Sequence, residues 1–255
     1  MYSEHVSSQG NASTGRVAAA AQRTVAAGTA RLFAAWSQGS PVPDLADRRC
    51  EGIADFGARL ARVWQLPLFT AALTAEFIDK HQTADDDDDL TQLSEPQEMI
   101  YDGANAYVHV ADNWTGFFLG DRDGPRTVND PLWPLDALFG VRNAVEIGAE
   151  EVRGTPVTRY RVVIDLAQAD AALPAGITVP ALPYRALSKV PAEVWLDSAG
   201  QSRRIAVTEP ATGNDQVPMW SIVELWDFGV PASIVPPSPA EVMSPGEAYR
   251  QGPAT

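Results

Sequence analysis

The residues able to do chemistry are few and scattered. Three histidines (His5, His81 and His109) and one cysteine (Cys50) are the whole stock of imidazole and thiol in 255 residues. No two histidines fall at a metal-ligand spacing, and no C-x-x-C exists to complement them. Five aspartates run together at 85–89. A calcium loop needs spaced oxygens and a glycine turn, as in D-x-D-x-D-G. A contiguous run repels itself and stays hydrated in a loop. Glu150-Glu151 and Arg203-Arg204 are adjacent pairs in strand-like segments, so the two members of each point to opposite faces. Neither pair can converge as an acid–base couple or an anion clamp. The sequence holds no G-x-S-x-G elbow, no Walker loop and no G-x-G-x-x-G. The pattern implies no catalytic residue, no metal and no cofactor, and the expected role is not enzymatic. Cys50 stands in D-R-R-C-E-G at the start of a strand-like segment, where it is expected as a small buried apolar residue. With one cysteine there is no intramolecular disulfide.

Charge narrows the partners. Nineteen Lys and Arg against 33 Asp and Glu leave a formal charge of −14. That argues against nucleic acid, whose phosphates demand a basic surface, and against docking on anionic lipid. The first residues, M-Y-S-E-H-V-S-S-Q-G, have neither a basic start nor an apolar core segment, so no secretory signal is expected. No run approaches a membrane span. As the sequence stands, the expected location is the cytoplasm.

The elements around these residues alternate with a period of two. Val194 and Leu196 fall on one face of a strand, and Glu193, Trp195 and Asp197 on the other. Ile205 and Val207 alternate with Arg204, Ala206 and Thr208 in a second. Between them Asp197-Ser198-Ala199-Gly200 suits a turn with Gly200 in the left-handed position. Further strands are expected at 29–39, 50–64 (one bent strand or two about Gly57-Ala58), 97–103, 105–111, 146–152, 159–166 and 219–228. An alanine-rich helix is expected over 14–27, capped by Thr14 and stopped by Gly28. Short helices are expected at 68–81, after Asp130-Pro131 up to Gly140, and at 167–173. Hairpin spacing with helices inserted singly implies an α+β fold, an antiparallel sheet with a few helices on one face, rather than βαβ units. One domain is expected over 14–242, between a flexible tail at 1–13 and a Pro/Gly-rich tail at 243–255, with an insertion at 68–93.

The strongest feature is apolar surface: 7 Trp, 8 Phe and 6 Tyr. Trp195 faces opposite Val194 and Leu196, and Trp220 opposite Val223, so some strands carry large apolar groups on both faces. Either helices and loops cover the second face, or an apolar ligand cavity lies between sheet and helices.

The order of elements resembles the LolA/LppX-type family of bacterial lipoprotein and lipid carriers. The residues that carry the resemblance are Glu150-Glu151-Val152-Arg153-Gly154-Thr155-Pro156 leading to Tyr160-Arg161-Val162, then Pro191-Ala192-Glu193-Val194-Trp195-Leu196-Asp197 with Gly200 and Arg203-Arg204. A strand closing on Asp227-Phe228-Gly229 and a Pro-rich tail follow, and Asp130-Pro131-Leu132 with Leu135 and Leu138 matches the preceding helix. The resemblance implies a strongly curved antiparallel sheet, an open half-barrel, with helices over its concave face and acyl chains bound between. It further implies non-enzymatic binding of a lipid or other apolar small molecule. Leu32, Trp36, Trp133, Leu135, Leu138, Phe139, Trp195 and Trp220 are the candidate lining residues, with Trp133 near the mouth and Leu138 and Phe139 deeper. Two features depart from that family, whose members usually carry an export signal and whose lipoproteins carry a lipobox cysteine. Cys50, behind Asp47-Arg48-Arg49, is not one. The alternative is a protein-interaction or sensor module with a filled core, whose partner is another protein.

Overall fold

The computed structural model describes residues 2–38, 48–66, 96–103, 105–110, 113–118, 130–173, 188–209 and 217–243. The helix expected at 68–81, the acidic run 85–89 and the tail 244–255 lie outside the described residues. Twelve strands form one sheet: β1 Thr29–Gln38, β2 Arg48–Asp55, β3 Leu60–Leu66, β4 Gln97–Asp102, β5 Asn105–Val110, β6 Asn113–Phe118, β7 Val141–Val152, β8 Thr155–Asp165, β9 Lys189–Leu196, β10 Ser202–Glu209, β11 Met219–Trp226 and β12 Val242–Met243. Their order across the sheet is β12-β6-β5-β4-β3-β2-β1-β11-β10-β9-β8-β7. Every neighbouring pair is antiparallel except β12 with β6. The sheet is curved and does not close; β7 and β12 are its edges. The Pro-rich segment after β11 thus joins only at an edge, where a strand with few backbone donors is tolerated.

The hairpin of β9 and β10 turns at Asp197 to Gly200. The Gly200 N–H donates to the Asp197 carbonyl at 2.9 Å, and Gly200 has φ +76°, which a Cβ would disfavour. The segment 50–64 resolves into two strands, β2 and β3, paired about the turn. Their approach is close: a Cβ on Gly52 would fall 2.6 Å from Val63 Cα and overlap the Arg62 carbonyl oxygen. A side chain at 52 would force these strands apart.

Among the described residues three helices lie on one face. α1, Tyr2–Ala26, packs on β7, β9 and β10. It begins well ahead of Thr14, because no proline interrupts residues 2–26. Thr14 is therefore not an N-cap; its hydroxyl oxygen accepts the Ala144 N–H of β7 at 3.0 Å. Gly28, with φ +80°, ends the helix as expected. α2, Trp133–Ala137, continues as a 3-10 turn, Leu138–Gly140, and packs on β10 and β11. Asp130 does not cap α2 itself. Its Oδ1 accepts the Leu132 N–H at 2.8 Å and closes the turn just before it. α3, Leu166–Ala172, is capped by Asp165, which accepts the Gln168 N–H at 3.1 Å.

Candidate ligand-binding layer and the two faces of the sheet

Alternation sorts the side chains into two populations. On the helix-covered face a single apolar cluster runs from Val17, Ala20 and Ala21 of α1 through Leu32, Ala34, Val223, Leu225, Ile205, Val207, Val194, Val162 and Tyr160 of the strands. Trp133, Leu135 and Leu138 enter it from the helix side, all at 1% exposure or less. Trp36 and Phe139 pack on its margin and are only partly buried. Six of the eight candidate lining residues are therefore brought together. Trp133, expected near the mouth, is as fully buried as Leu138, whereas Phe139, expected deeper, is only partly buried.

Trp195 and Trp220 are not part of that layer. They belong to a second cluster on the other face, with Phe33, Val152, Val157 and Ile222. The period of two places them there, since Trp195 pairs across β10 and β11 with Arg204 and Glu224 and so reaches Phe33.

This second face carries a charge and aromatic ladder. Arg159 donates to Glu150 at 2.8 Å and to Glu193 at 2.6 Å. Its guanidinium lies 5.2 Å from the Trp195 ring centroid, and that of Arg204 5.3 Å. Glu224, only 5% exposed, accepts from Arg153 at 2.7 Å and from Arg204 at 2.8 Å. Arg153 in turn sits 3.9 Å over Trp226. Cationic groups over aromatic faces shield them from water while meeting buried carboxylates. Glu150 also accepts the Trp195 indole N–H at 2.7 Å. That bond, and then the one from Arg159, holds its carboxyl below the usual range. Glu150 thus ties Trp195 to Arg159, a role hidden when it is read only beside Glu151.

Polar groups within the helix-covered layer are placed sparingly. α1 is pinned by Thr14, by Arg16 donating to the Tyr160 hydroxyl at 3.0 Å, and by Thr24 accepting the Ser202 N–H at 2.9 Å. Asp136, fully buried on α2, pairs with Arg59 at the β2–β3 turn, which takes a left-handed φ of +60°. Buried polar atoms on this face, among them the Trp133 Nε1–H and the Ser221 hydroxyl, have no hydrogen-bond partner among the described residues. Ser221 pairs with Trp36 and Val207 and so shares their face. Cys50 is buried in the same layer, and burial pushes its thiol up to about 12. Among the described residues no three metal-ligating side chains cluster. His109 is partly buried on β5 with its ring 4.8 Å from Trp114.

No family model matches the sequence, and no curated protein does. Solved structures match in fold. LprF from Mycobacterium bovis is 12% identical with a TM-score of 0.51, covering 89% of this chain and 98% of that one. The Mycobacterium tuberculosis lipoprotein LppX is 12% identical with a TM-score of 0.47, covering 86% and 98%. A LolA superfamily protein from Nitrosomonas europaea is 8% identical with a TM-score of 0.26, covering 82% and 92%. The fold is like that of LprF: an open, curved antiparallel sheet with helices on one face. Within this fold the open sheet with helices on one face sets up two chemically different surfaces, one apolar and helix-covered, the other a ladder of arginines, carboxylates and aromatic rings. Among the described residues no helix is long and apolar enough to cross a membrane.

Sequence reasoning overlooked Arg59, Arg153, Arg159 and Glu224. For Arg159 a signal existed, since it alternates with Tyr160 in β8. For Arg59 and Asp136, 77 residues apart, no local pattern brings them together.

Proposed function

We propose that the chain binds an amphiphile non-covalently, with its apolar portion between α1–α3 and the sheet. The observation that carries this is the Trp133 indole N–H, fully buried yet unpaired in an apolar layer. An unsatisfied buried donor costs about 1–3 kcal/mol. A ligand carbonyl, such as an ester or carboxyl oxygen, would recover it, and the Ser221 hydroxyl could serve a second one. The acyl chain supplies the affinity at about 0.8 kcal/mol per buried CH₂ before ordering costs. Leu32, Trp36, Leu135, Leu138 and Phe139 are the proposed apolar contacts. Trp195 and Trp220, on the other face, are not among them. The role needs no nucleophile and no metal.

Native mass spectrometry of the purified protein, with solvent extraction of what it retains, tests this. A bound amphiphile is expected, together with uptake of a fluorescent fatty acid that Trp133→Phe weakens about tenfold. Absence of retained lipid and of any uptake would overturn the proposal. One observation favours a second reading, a protein-interaction module with a filled core. Val145 and Ile147 on edge strand β7, and Val163 beside it, are exposed at 54%, 43% and 37%. An edge strand with apolar side chains invites strand addition by a partner. Loss of a captured partner in Val145→Lys, with no lipid retained, would favour that module.

A further inference from the structure

Arg16 and Arg23 lie seven residues apart on α1, two turns and about 10 Å along one face. Both line an open groove of about 630 Å³, closed on its other sides by Ala149 and Thr158 and by the β9–β10 turn. Two carboxylates near the groove are already engaged. Asp197 accepts the Gln201 N–H at 2.9 Å and the Arg203 Nε–H at 2.7 Å. Glu146 accepts the Tyr160 hydroxyl at 3.3 Å. Arg16 uses one donor on the same Tyr160 oxygen, which leaves four of its five N–H groups. Arg23 has no hydrogen-bond or ion-pair partner among the described residues. Its guanidinium lies against Gly200, where a Cβ would come within 2.5 Å of Nη1. In a chain of net charge −14, two arginines line this groove, and the carboxylate on its wall, Asp197, is already paired with Arg203.

We infer that this groove is a phosphate-binding site, for a phosphate monoester or diester held between Arg16 and Arg23. Guanidinium forks match phosphate oxygens in pairs, and the Thr158 and Ser198 hydroxyls on the same walls supply further donors. The groove has room for a phosphate together with its ester substituent. The phosphate can arrive as the headgroup of a carried amphiphile or as a free ester; the chemistry of recognition is the same.

Calorimetric titrations separate these sources. The probes are glycerol phosphate, dihexanoyl phosphatidylglycerol and neutral dihexanoylglycerol, applied to the wild type, Arg23→Gln and the double variant Arg16→Gln/Arg23→Gln. The phosphate-bearing probes are expected to lose about tenfold or more in affinity in the double variant, and to weaken with added salt. Binding of the neutral lipid is expected to be unchanged, with circular dichroism confirming an intact fold. Preference for the phosphatidylglycerol over glycerol phosphate assigns the headgroup; equal affinity assigns a free ester. Glycerol phosphate binding without uptake of either lipid keeps this site while removing the amphiphile proposal. Charged and neutral lipids binding alike in wild type and double variant, with no glycerol phosphate binding, would overturn the site and leave the apolar layer standing. Arg23→Gln alone guards against misfolding, since Arg23 is exposed and bonds nothing among the described residues.

Discussion

Thr24 on α1 accepts a hydrogen bond from the backbone N–H of Ser202 at 2.9 Å, across 178 residues of chain. The same hydroxyl donates to the Ala20 carbonyl at 2.8 Å, and both residues are fully buried. Thr24→Val keeps the shape but strands the Ser202 donor. It is expected to lower stability by about 1–3 kcal/mol, read from urea denaturation midpoints, while Thr24→Ser recovers most of the loss.

Arg59 and Asp136 join the β2–β3 turn to α2 through an ion pair whose carboxylate is fully buried. Arg59→Met leaves that charge without its guanidinium. A loss of about 3 kcal/mol is expected. Adding Asp136→Leu should return part of it, since a buried pair can give way to apolar groups of similar size. A double variant no more stable than Arg59→Met would show that the pair is not the coupling.

Trp133 and Phe139 can be told apart by truncation. Trp133→Ala opens a cavity at a fully buried site and is expected to cost about 3–5 kcal/mol. Phe139→Ala, at a partly buried site on the margin, should cost clearly less. Chemical denaturation of the two variants gives the order directly.

Glu150 predicts an acid limb. Its carboxyl is held below its ordinary value of 4.5, first by the Trp195 N–H and then by Arg159. A depressed folded value contributes stability above the unfolded pKa, and the contribution is lost as pH falls through the folded one. The stability difference between the wild type and Glu150→Gln should therefore hold constant above pH 4.5 and shrink below it. Denaturation midpoints across that range check the sign.

Cys50 should be inert in the native chain. Its thiol is buried and pushed up to about 12, so almost no thiolate exists near neutrality. Aromatic disulfide reagents are expected to label it only after unfolding in guanidinium. Prompt labelling of the folded protein would contradict the burial.

Much of the fold is legible in the sequence because it is local. Alternation marks β1 and β8–β11, and Asp197 with Gly200 marks their central turn. Gly28 marks the end of α1. The start of α1 is missed because Ser, Asn and Gly are poor helix formers, yet none of them breaks the backbone as proline would. The site is less legible. Leu32, Trp133, Leu135 and Leu138 share one layer as their apolar faces imply. Trp195 and Trp220 are assigned to it only when aromatic size is weighed above parity. For them the alternation with Val194 and Val223 was the better guide. Long-range ion pairs such as Arg59 with Asp136 have no local trace, since nothing within a turn or a strand pair brings them together.

The placement of β1 between β2 and β11 has a bearing on how the chain is made. Leu32 meets Gly52 on one side almost at once, but its other partner, Leu225, is synthesised 193 residues later. Until then one edge of β1 is unpaired, and the strands that cover the apolar side of α1, β7, β9 and β10, are made only from Val141 onward. Contacts of such separation close loops late and slow the search for the native state. An elongating chain therefore holds β1 half-paired until β11 emerges. Truncations that end before Met219 are expected to be ready substrates for chaperones and for aggregation through that open strand.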